Sequence, residues 1–276
     1  MMKAVRPAPG HQDTNDDGSP PRMVAVVADG RTLHAPEGTF LLEVLRKAGI
    51  VIPTLCHHPA VEPAGACRLC LVEILRNGTP GELVTACLFP ITDGLQVRTR
   101  SERVQAMRRN LLDLLLARCP DTPLIQQLAR EYGLDQTSYP RNTEATDCIL
   151  CGLCTRVCDR VGLSAISLVS HGTERKVAPP LKQPPPDCVG CLACAAICPT
   201  GTIQAEESNG TRTIWGKTFT MLSCKTCGRA LITTAQAEYW SGRSRLPIAY
   251  FETCDTCKRA STAATMAALG ALGNGR

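Results

Sequence analysis

The sequence has few aromatic residues and no long apolar run. Aromatic residues make up 4% of the 276 residues, while the apolar fraction of 44% is ordinary for a globular protein. This shortage predicts several small cores rather than one large core, with something besides burial helping to hold them together. Residues 1–22 contain no apolar signal segment, and no run approaches the roughly 18 apolar residues of a membrane span. We therefore expect a cytoplasmic protein with no membrane span.

A glycine-rich dinucleotide-binding motif is also missing from the sequence. The closing stretch GALGNG follows no predicted strand and opens no predicted helix, as such a motif must. Direct oxidation of a nicotinamide dinucleotide by this chain is therefore not expected.

Cysteine, in contrast, is abundant. The chain has 17 cysteines, of which 16 fall into four groups of four and one, Cys119, is left over. Disulfides rarely persist in the cytoplasm, so the groups indicate thiolate ligands of metals. If each of four metal centres carries a net charge near −2, the formal net charge of +5 falls to about −3. The charge therefore gives no support to a nucleic-acid partner.

Local patterns predict the elements between the cysteine groups. Residues 23–38 alternate around Asp29 and Gly30, which predicts a hairpin with a type I′ turn. A helix should follow and end near Gly49, and Ser101 is a candidate N-cap for another helix. That helix should bury Val104, Met107, Leu111, Leu114 and Leu115. Further expectations are strands at 69–75 and 95–100, a helix at 122–134 closed by Gly133, an extended proline-rich loop at 178–187 and an alanine-rich helix at 259–272.

A motif with the spacing C-x2-C-x2-C-x3-C occurs twice, forty residues apart. In proteins with two [4Fe-4S] clusters, three cysteines of such a run bind one cluster and the fourth binds the other. Gly152 and Gly190 would let backbone amides approach the cluster sulfurs. Two zinc knuckles are the alternative, although zinc sites rarely use three cysteines at this pitch. The predicted ligand sets are Cys148, Cys151, Cys154 and Cys198 for one cluster, and Cys188, Cys191, Cys194 and Cys158 for the other.

The first cysteine group has the spacing C-x10-C-x2-C-x16-C and follows the predicted hairpin and helix. A plant-type ferredoxin places its [2Fe-2S] ligands in such a context, although its first gap is four residues, and a zinc site is the alternative. His57 and His58 are expected to lie at the surface or beside the ligands, and Arg68 either donates to a cluster sulfur or is solvated. The predicted [2Fe-2S] ligands are Cys56, Cys67, Cys70 and Cys87, with Gly65 in a tight loop among them.

The last group has the spacing C-x2-C-x26-C-x2-C. Paired knuckles of this kind suit zinc, a rubredoxin-like iron or an additional [4Fe-4S] cluster. The glycine after CKTC favours zinc, but the spacing does not separate the three. The predicted ligands on each reading are Cys224, Cys227, Cys254 and Cys257.

Three stretches, at residues 54–74, 85–99 and 148–158, together resemble a known group of iron–sulfur proteins. The chain is similar over about residues 23–205 to the small iron–sulfur diaphorase subunit of bidirectional NAD-linked hydrogenases. It is similar also to the N-terminal parts of the large iron–sulfur subunit of respiratory complex I, of iron-only hydrogenases and of NAD-linked formate dehydrogenases. The resemblance implies a non-catalytic subunit that carries electrons between a flavin-containing, NAD(P)H-oxidising subunit and a catalytic hydrogenase or formate dehydrogenase subunit.

The chain departs from these relatives in one motif. They usually carry a further cluster with the ligand pattern H-x3-C-x2-C-x5-C. Cys119 stands in the place of the histidine, but Pro123 and Gln126 stand where cysteines would follow. We therefore predict that this cluster is absent.

Motifs and resemblance together predict an α+β chain built from small modules. The implied function is that of a relay, which carries electrons between two other subunits. The alternatives are a subunit of an electron-bifurcating or ferredoxin-linked complex, a short enzyme such as an iron-only hydrogenase, and a zinc-binding scaffold. The predicted parts are a disordered tail (1–22), a β-grasp [2Fe-2S] ferredoxin-type domain (23–100), a helical bridge (101–140), a bacterial-ferredoxin-like domain with two [4Fe-4S] clusters (141–207) and a small C-terminal metal-binding module with four cysteines and an alanine-rich helix (208–276).

Overall fold

The computed structural model describes residues 21–142, 146–180 and 184–273. The predicted tail therefore lies outside the described residues except at 21–22, and the predicted proline-rich loop is described only in part. The described residues form a mixed α/β fold, as the sequence predicts in general terms. No helix among them is both long and apolar enough to cross a membrane.

A five-stranded sheet with one helix against it forms the N-terminal part. Its strand order is β2-β1-β5-β3-β4, with β1 and β5 parallel and the other neighbours antiparallel. Asp29 and Gly30 both have positive φ, at 48° and 81°, as a type I′ turn requires, so the predicted hairpin is confirmed. The elements are β1 (Met23–Ala28), β2 (Arg31–Pro36), α1 (Leu41–Lys47), β3 (Leu71–Arg76), β4 (Thr79–Thr85) and β5 (Leu95–Arg98).

Strand β4 was not predicted, because Pro80 and Gly81 are poor strand residues. The turn before it carries the signal, since Asn77 and Gly78 have φ of 52° and 77° and join β3 to β4 as a second hairpin. The core between α1 and the sheet contains two of the predicted ligands, Cys70 and Cys87.

Two helices, α2 (Glu102–Arg118) and α3 (Pro123–Glu131), follow the sheet. The Ser101 hydroxyl accepts a hydrogen bond from the Val104 amide at 3.3 Å, which confirms the predicted N-cap. The predicted apolar face of α2 is wrong in part, because Met107 and Leu114 are 39% and 50% exposed. A shifted face packs inward instead, and it buries Val104, Arg108, Leu112, Asp113, Leu116 and Ala117.

The helices and strands between α3 and the C-terminal sheet are short. That sheet has the order β11-β10-β9-β8, and the predicted alanine-rich helix is confirmed as α7. The elements are α4 (Leu153–Val161), β6 (Ser167–Val169), a 3₁₀ helix (Gly172–Glu174), β7 (Lys176–Ala178), α5 (Ala193–Ala196), β8 (Glu206–Ser208), β9 (Thr211–Ile214), β10 (Lys217–Ser223), β11 (Ala230–Thr233), α6 (Thr234–Arg243), a 3₁₀ helix (Ile248–Glu252) and α7 (Asp255–Gly273).

Candidate metal centres

The first cysteine group converges at the end of the five-stranded sheet. The Cys67 amide donates to the Cys56 sulfur at 3.3 Å, and the sulfurs of Cys70 and Cys87 lie 3.3 Å apart. Hydrogen bonding to Cys67 raises the pKa of Cys56, and the same contact lowers the pKa of Cys67 to about 6. The pKa of Cys87 is raised by Cys70 first, then by burial and by the charges of its neighbours. Thiols that oppose one another's ionisation in this way suit a cationic metal centre, which would remove the repulsion.

A buried arginine holds the ligand loop of this group. Arg108 on α2 is 2% exposed, and it donates from Nε to the Leu69 carbonyl at 3.0 Å and from Nη2 to the Leu71 carbonyl at 2.7 Å. These two carbonyls flank Cys70. Gly65 has φ of 61°, and a Cβ there would lie 2.5 Å from Cδ1 of Leu88, so the tight loop predicted at this position requires glycine.

The polar side chains beside this group are engaged elsewhere or exposed. Arg68 is exposed, which favours the solvated alternative. His57 lies 3.3 Å from Nη1 of Arg46, and the His58 ring accepts a hydrogen bond from the Ala60 amide at 3.1 Å. Burial lowers the pKa of His57.

The cysteines of the two repeated motifs lie in two groups, and each group includes the last cysteine of the other motif. Burial raises the pKa of Cys154 to about 12, and repulsion from Cys151 and Cys148 adds to the effect. Burial also raises the pKa of Cys151, with added repulsion from Cys198 and Cys148. A cavity of about 300 Å³ is lined by this set of four, Cys148, Cys151, Cys154 and Cys198, among other residues.

The other set is arranged in the same way. Burial raises the pKa of Cys194 to about 11, and Cys191, Cys188 and Cys158 add to the effect. Cys158 therefore lies with the cysteines of the second motif, although it belongs to the first in sequence. Its sulfur accepts a hydrogen bond from the Ala165 amide at 3.2 Å.

The backbone of the two motifs repeats as well. Each has left-handed residues two and four positions after its first cysteine, which are Leu150 and Gly152 in one motif and Gly190 and Leu192 in the other. Left-handed residues in such a loop turn successive backbone amides toward one centre, as anion-binding loops do. One residue of each pair is glycine, while the leucine of each pair has an unfavourable conformation, which functional loops often retain.

The last group forms a compact cluster of four sulfurs. The sulfurs of Cys224, Cys227, Cys254 and Cys257 lie within 4.8 Å of one another. Amide hydrogen bonds, first from Cys254, lower the pKa of Cys224 to about 6 and so favour its thiolate. Among the residues that the structure describes, no other cysteine group is this compact around a single point. These short distances between the four sulfurs suit one tetrahedral ion better than a larger cluster.

Cys119 belongs to none of the four groups and lies in the apolar core between α2 and α3, against which Cys67 also packs. It is 0% exposed and packs with a cluster that includes Leu112, Leu116, Ile125 and Ala129. Burial raises its pKa to about 11, so the thiol stays protonated. The tertiary structure thus gives Cys119 a packing role that the sequence did not indicate.

Sequence reasoning missed three residues that contact the cysteine loops. Arg108 lies in the charged stretch 102–110, which has the composition of a solvated helix face, and no motif singles out Arg156 or Trp215. Only Trp215 carries a local signal, because Trp-Gly between two short strands marks a turn. The two arginines contact residues distant in sequence, so no local pattern could have indicated them.

Comparison with known proteins agrees with this geometry. Residues 21–102 match the family described as 2Fe-2S iron-sulfur cluster binding domain. The chain is 31% identical over 248 residues to the NADPH-Fe(3+) oxidoreductase subunit alpha of Geobacter sulfurreducens, covering 81% of this chain and 28% of that protein. It is 31% identical over 218 residues to the NADP-reducing hydrogenase subunit HndD of Solidesulfovibrio fructosivorans, covering 67% and 36% respectively.

A third relative extends the comparison to respiratory enzymes. The NADH-ubiquinone oxidoreductase 75 kDa subunit of Reclinomonas americana is 29% identical over 180 residues, covering 56% of this chain and 26% of that protein. The alignments thus span between about a quarter and just over a third of the length of these relatives. The resemblance predicted from the motifs is confirmed: the chain is a homologue of the iron–sulfur subunits of NAD(P)-linked hydrogenases and respiratory NADH oxidoreductases, and its residues 21–102 match the 2Fe-2S cluster binding domain family.

Proposed function

We propose that this chain is a non-catalytic relay subunit of a multi-subunit NAD(P)-linked oxidoreductase of the hydrogenase or formate dehydrogenase type. Its partners would be a flavin-containing, NAD(P)H-oxidising subunit and a catalytic metal subunit. When bound, one [2Fe-2S] and two [4Fe-4S] clusters supply reversible one-electron carriers at low potential. The chain itself fixes their positions and surroundings.

The ligand assignment follows the convergence of the side chains. Cys56, Cys67, Cys70 and Cys87 would hold the [2Fe-2S] cluster. Cys148, Cys151, Cys154 and Cys198 would hold one [4Fe-4S] cluster, and Cys158, Cys188, Cys191 and Cys194 the other. The compact set of Cys224, Cys227, Cys254 and Cys257 would hold zinc.

The observation that carries the relay proposal is the position of Arg156. Its Nη2 donates to the Cys56 carbonyl at 2.8 Å and to the Cys151 carbonyl at 3.2 Å. One guanidinium therefore joins a ligand loop of the first cysteine group to a ligand loop of the repeated motifs. Its Nε also donates to the Gly152 carbonyl at 3.2 Å, which fixes the arginine on its own loop.

Apolar packing supports the same contact. Val61, in the loop between Cys56 and Cys67, is buried in a small cluster with Leu153 and Ile197. Leu153 begins α4 directly after the Cys151 loop, and Ile197 precedes Cys198. The two loops therefore meet through direct contacts. A relay that lacks the cluster with one histidine and three cysteine ligands is consistent with this arrangement.

Metal analysis and paramagnetic resonance of the full chain test the proposal. We expect anaerobically purified protein to be brown and to contain about ten iron atoms, from one [2Fe-2S] and two [4Fe-4S] clusters, and about one zinc. Cys227→Ser should lose the zinc and keep all the iron. A colourless preparation that contains zinc alone would contradict the relay and support a scaffold.

A second assay addresses the non-catalytic role. The chain alone should not reduce a dye with NADH or hydrogen, and it should accept electrons from NAD(P)H only when a flavin-containing partner subunit is added. Dye reduction by the isolated chain would identify it as an enzyme. The cytoplasmic location stays a prediction.

A further inference from the structure

The C-terminal sheet contacts the second repeated motif through one hairpin. This hairpin, formed by β9 and β10 and called here the Trp215 hairpin (residues 211–223), turns at Trp215 and Gly216. The indole Nε1 of Trp215 lies 3.5 Å from the sulfur of Cys194 and donates a hydrogen bond to it. Trp215 also lines the cavity that contains Cys148, Cys151, Cys154 and Cys198. One side chain thus lies against both sets of repeated cysteines.

Further contacts fix the cysteine loop on the hairpin. Lys217 donates from Nζ to the carbonyls of Pro186 at 2.7 Å and Cys188 at 2.8 Å, and Arg212, which is buried, donates to the Gly190 carbonyl at 2.7 Å. A Cβ at Gly190 would lie 2.8 Å from the Phe219 ring, so the loop packs directly on β10. Contacts on both sides of Trp215 in the chain therefore hold its indole beside Cys194.

The turn itself has an unusual conformation. Trp215 has φ of 54°, a left-handed conformation that is unfavourable for a residue with a side chain. A glycine or asparagine would form the same turn without this cost. Backbone strain of this kind is retained where the side chain has a function that requires its position.

We propose that Trp215 is a positioning residue that raises the reduction potential of the cluster held by Cys158, Cys188, Cys191 and Cys194. The inference rests on the proposed function, since it requires that cluster. When bound, the cluster would accept one electron from the flavin-containing partner subunit with no bond broken, so the negative charge on its thiolate sulfurs would increase. A hydrogen bond donated to a cluster sulfur stabilises the more negative state and therefore raises the potential. The nearby cation of Lys217 acts in the same direction, whereas the charge of Arg212 is offset by its ion pair with Glu207 at 2.6 Å.

The direct test compares two tryptophan variants of the full chain, which has two tryptophans. Trp215→Phe keeps an aromatic ring and removes the N–H donor. Trp240→Phe is the matched control, because Trp240 lies on α6 and stacks edge-on against Tyr239. Potentiometric titration followed by paramagnetic resonance should show a lower potential for one [4Fe-4S] centre in Trp215→Phe. The other centres, the iron content and the Trp240→Phe protein should match the wild type.

A second measurement does not depend on the stability of the variant. Wild-type protein labelled with ¹⁵N-tryptophan should show a ¹⁵N coupling at one reduced [4Fe-4S] centre in pulsed paramagnetic resonance, and Trp240→Phe should keep it. Absence of this coupling, or unchanged potentials in Trp215→Phe, would overturn the inference while leaving the relay intact. Wild-type protein without [4Fe-4S] signals would instead refute the proposed function.

Discussion

Arg156 and Cys56 are separated by 100 residues in sequence, and the guanidinium of Arg156 donates to the backbone carbonyl of Cys56 at 2.8 Å. The same Nη2 also donates to the Cys151 carbonyl. A single side chain therefore fixes the distance between two candidate cluster sites.

The first prediction concerns this contact. Arg156→Met keeps the aliphatic stem and removes the donors, so the two loops should separate or move relative to each other. We expect slower electron transfer between the [2Fe-2S] and [4Fe-4S] centres after rapid partial reduction, and weaker magnetic coupling between them. The free energy of unfolding should fall by about 1–3 kcal/mol, the value of hydrogen bonds from a charged donor.

Arg160→Met is the matched control, because Arg160 is exposed on the same helix and carries the same charge. It should leave transfer rate, coupling and stability unchanged. Equal rates in the Arg156→Met and wild-type proteins, with iron content intact, would show that Arg156 has no part in the relay.

The second prediction concerns Arg108. Arg108→Met should leave the Leu69 and Leu71 carbonyls without their donor beside Cys70. We expect the variant to be less stable by about 3 kcal/mol and to lose the [2Fe-2S] signal before the [4Fe-4S] signals on warming, since buried carbonyls without partners are costly. Arg109→Met, at the exposed neighbouring position, should behave as wild type. Parallel loss of all signals in Arg108→Met would argue against a local role.

The third prediction concerns Cys119. Cys119→Ser should retain all the iron and the electron transfer, because the thiol is part of an apolar core and of no cysteine group. The serine hydroxyl would be buried beside Thr122, which interacts with the Cys119 thiol, so the free energy of unfolding should fall by only about 1 kcal/mol. Cys87→Ser, in contrast, should lose the [2Fe-2S] signal. Loss of iron in Cys119→Ser would show that the ligand assignment is wrong.

The fourth prediction concerns acid stability. Ser138 donates from its hydroxyl to Asp113 at 2.6 Å and from its amide at 2.9 Å, and the hydroxyl contact first of all lowers the pKa of Asp113. The carboxylate should therefore stabilise the fold above the ordinary carboxyl pKa of about 3.9, and the contribution should disappear as the pH falls through the lowered value.

Asp113→Asn tests this dependence by denaturant unfolding at several pH values. It should lower the free energy of unfolding by about 1 kcal/mol near pH 7 and by less in acid. Asp135→Asn, at an exposed position nearby, should have no such effect. A difference that is the same at every pH would rule out the charge of Asp113 as its cause.

The sequence was sufficient for features that depend on near neighbours. The Asp29-Gly30 turn, the Ser101 cap and the Gly49 and Gly133 helix ends all follow from residue types at fixed short spacings. The apolar face of α2 could not be predicted in the same way. Which face of α2 is buried depends on the hydrogen bond from Arg108 to Leu71 in β3. Arginine is usually a surface residue, and its partner here is distant in sequence, so a local pattern does not indicate that it is buried.

Sequence alone therefore determined which cysteines form groups and that the chain is an iron–sulfur protein, because ligand type and spacing are local properties. Tertiary structure decided which groups lie next to one another. Arg156 joins the first group to the repeated motifs, Trp215 joins the C-terminal sheet to Cys194, and Cys119 lies in an apolar core. The Arg156 and Trp215 contacts link residues that are 100 and 21 positions apart in the chain, and the Cys119 core depends on two helices packing together, so the physical reason lies in how the elements pack rather than in any short pattern.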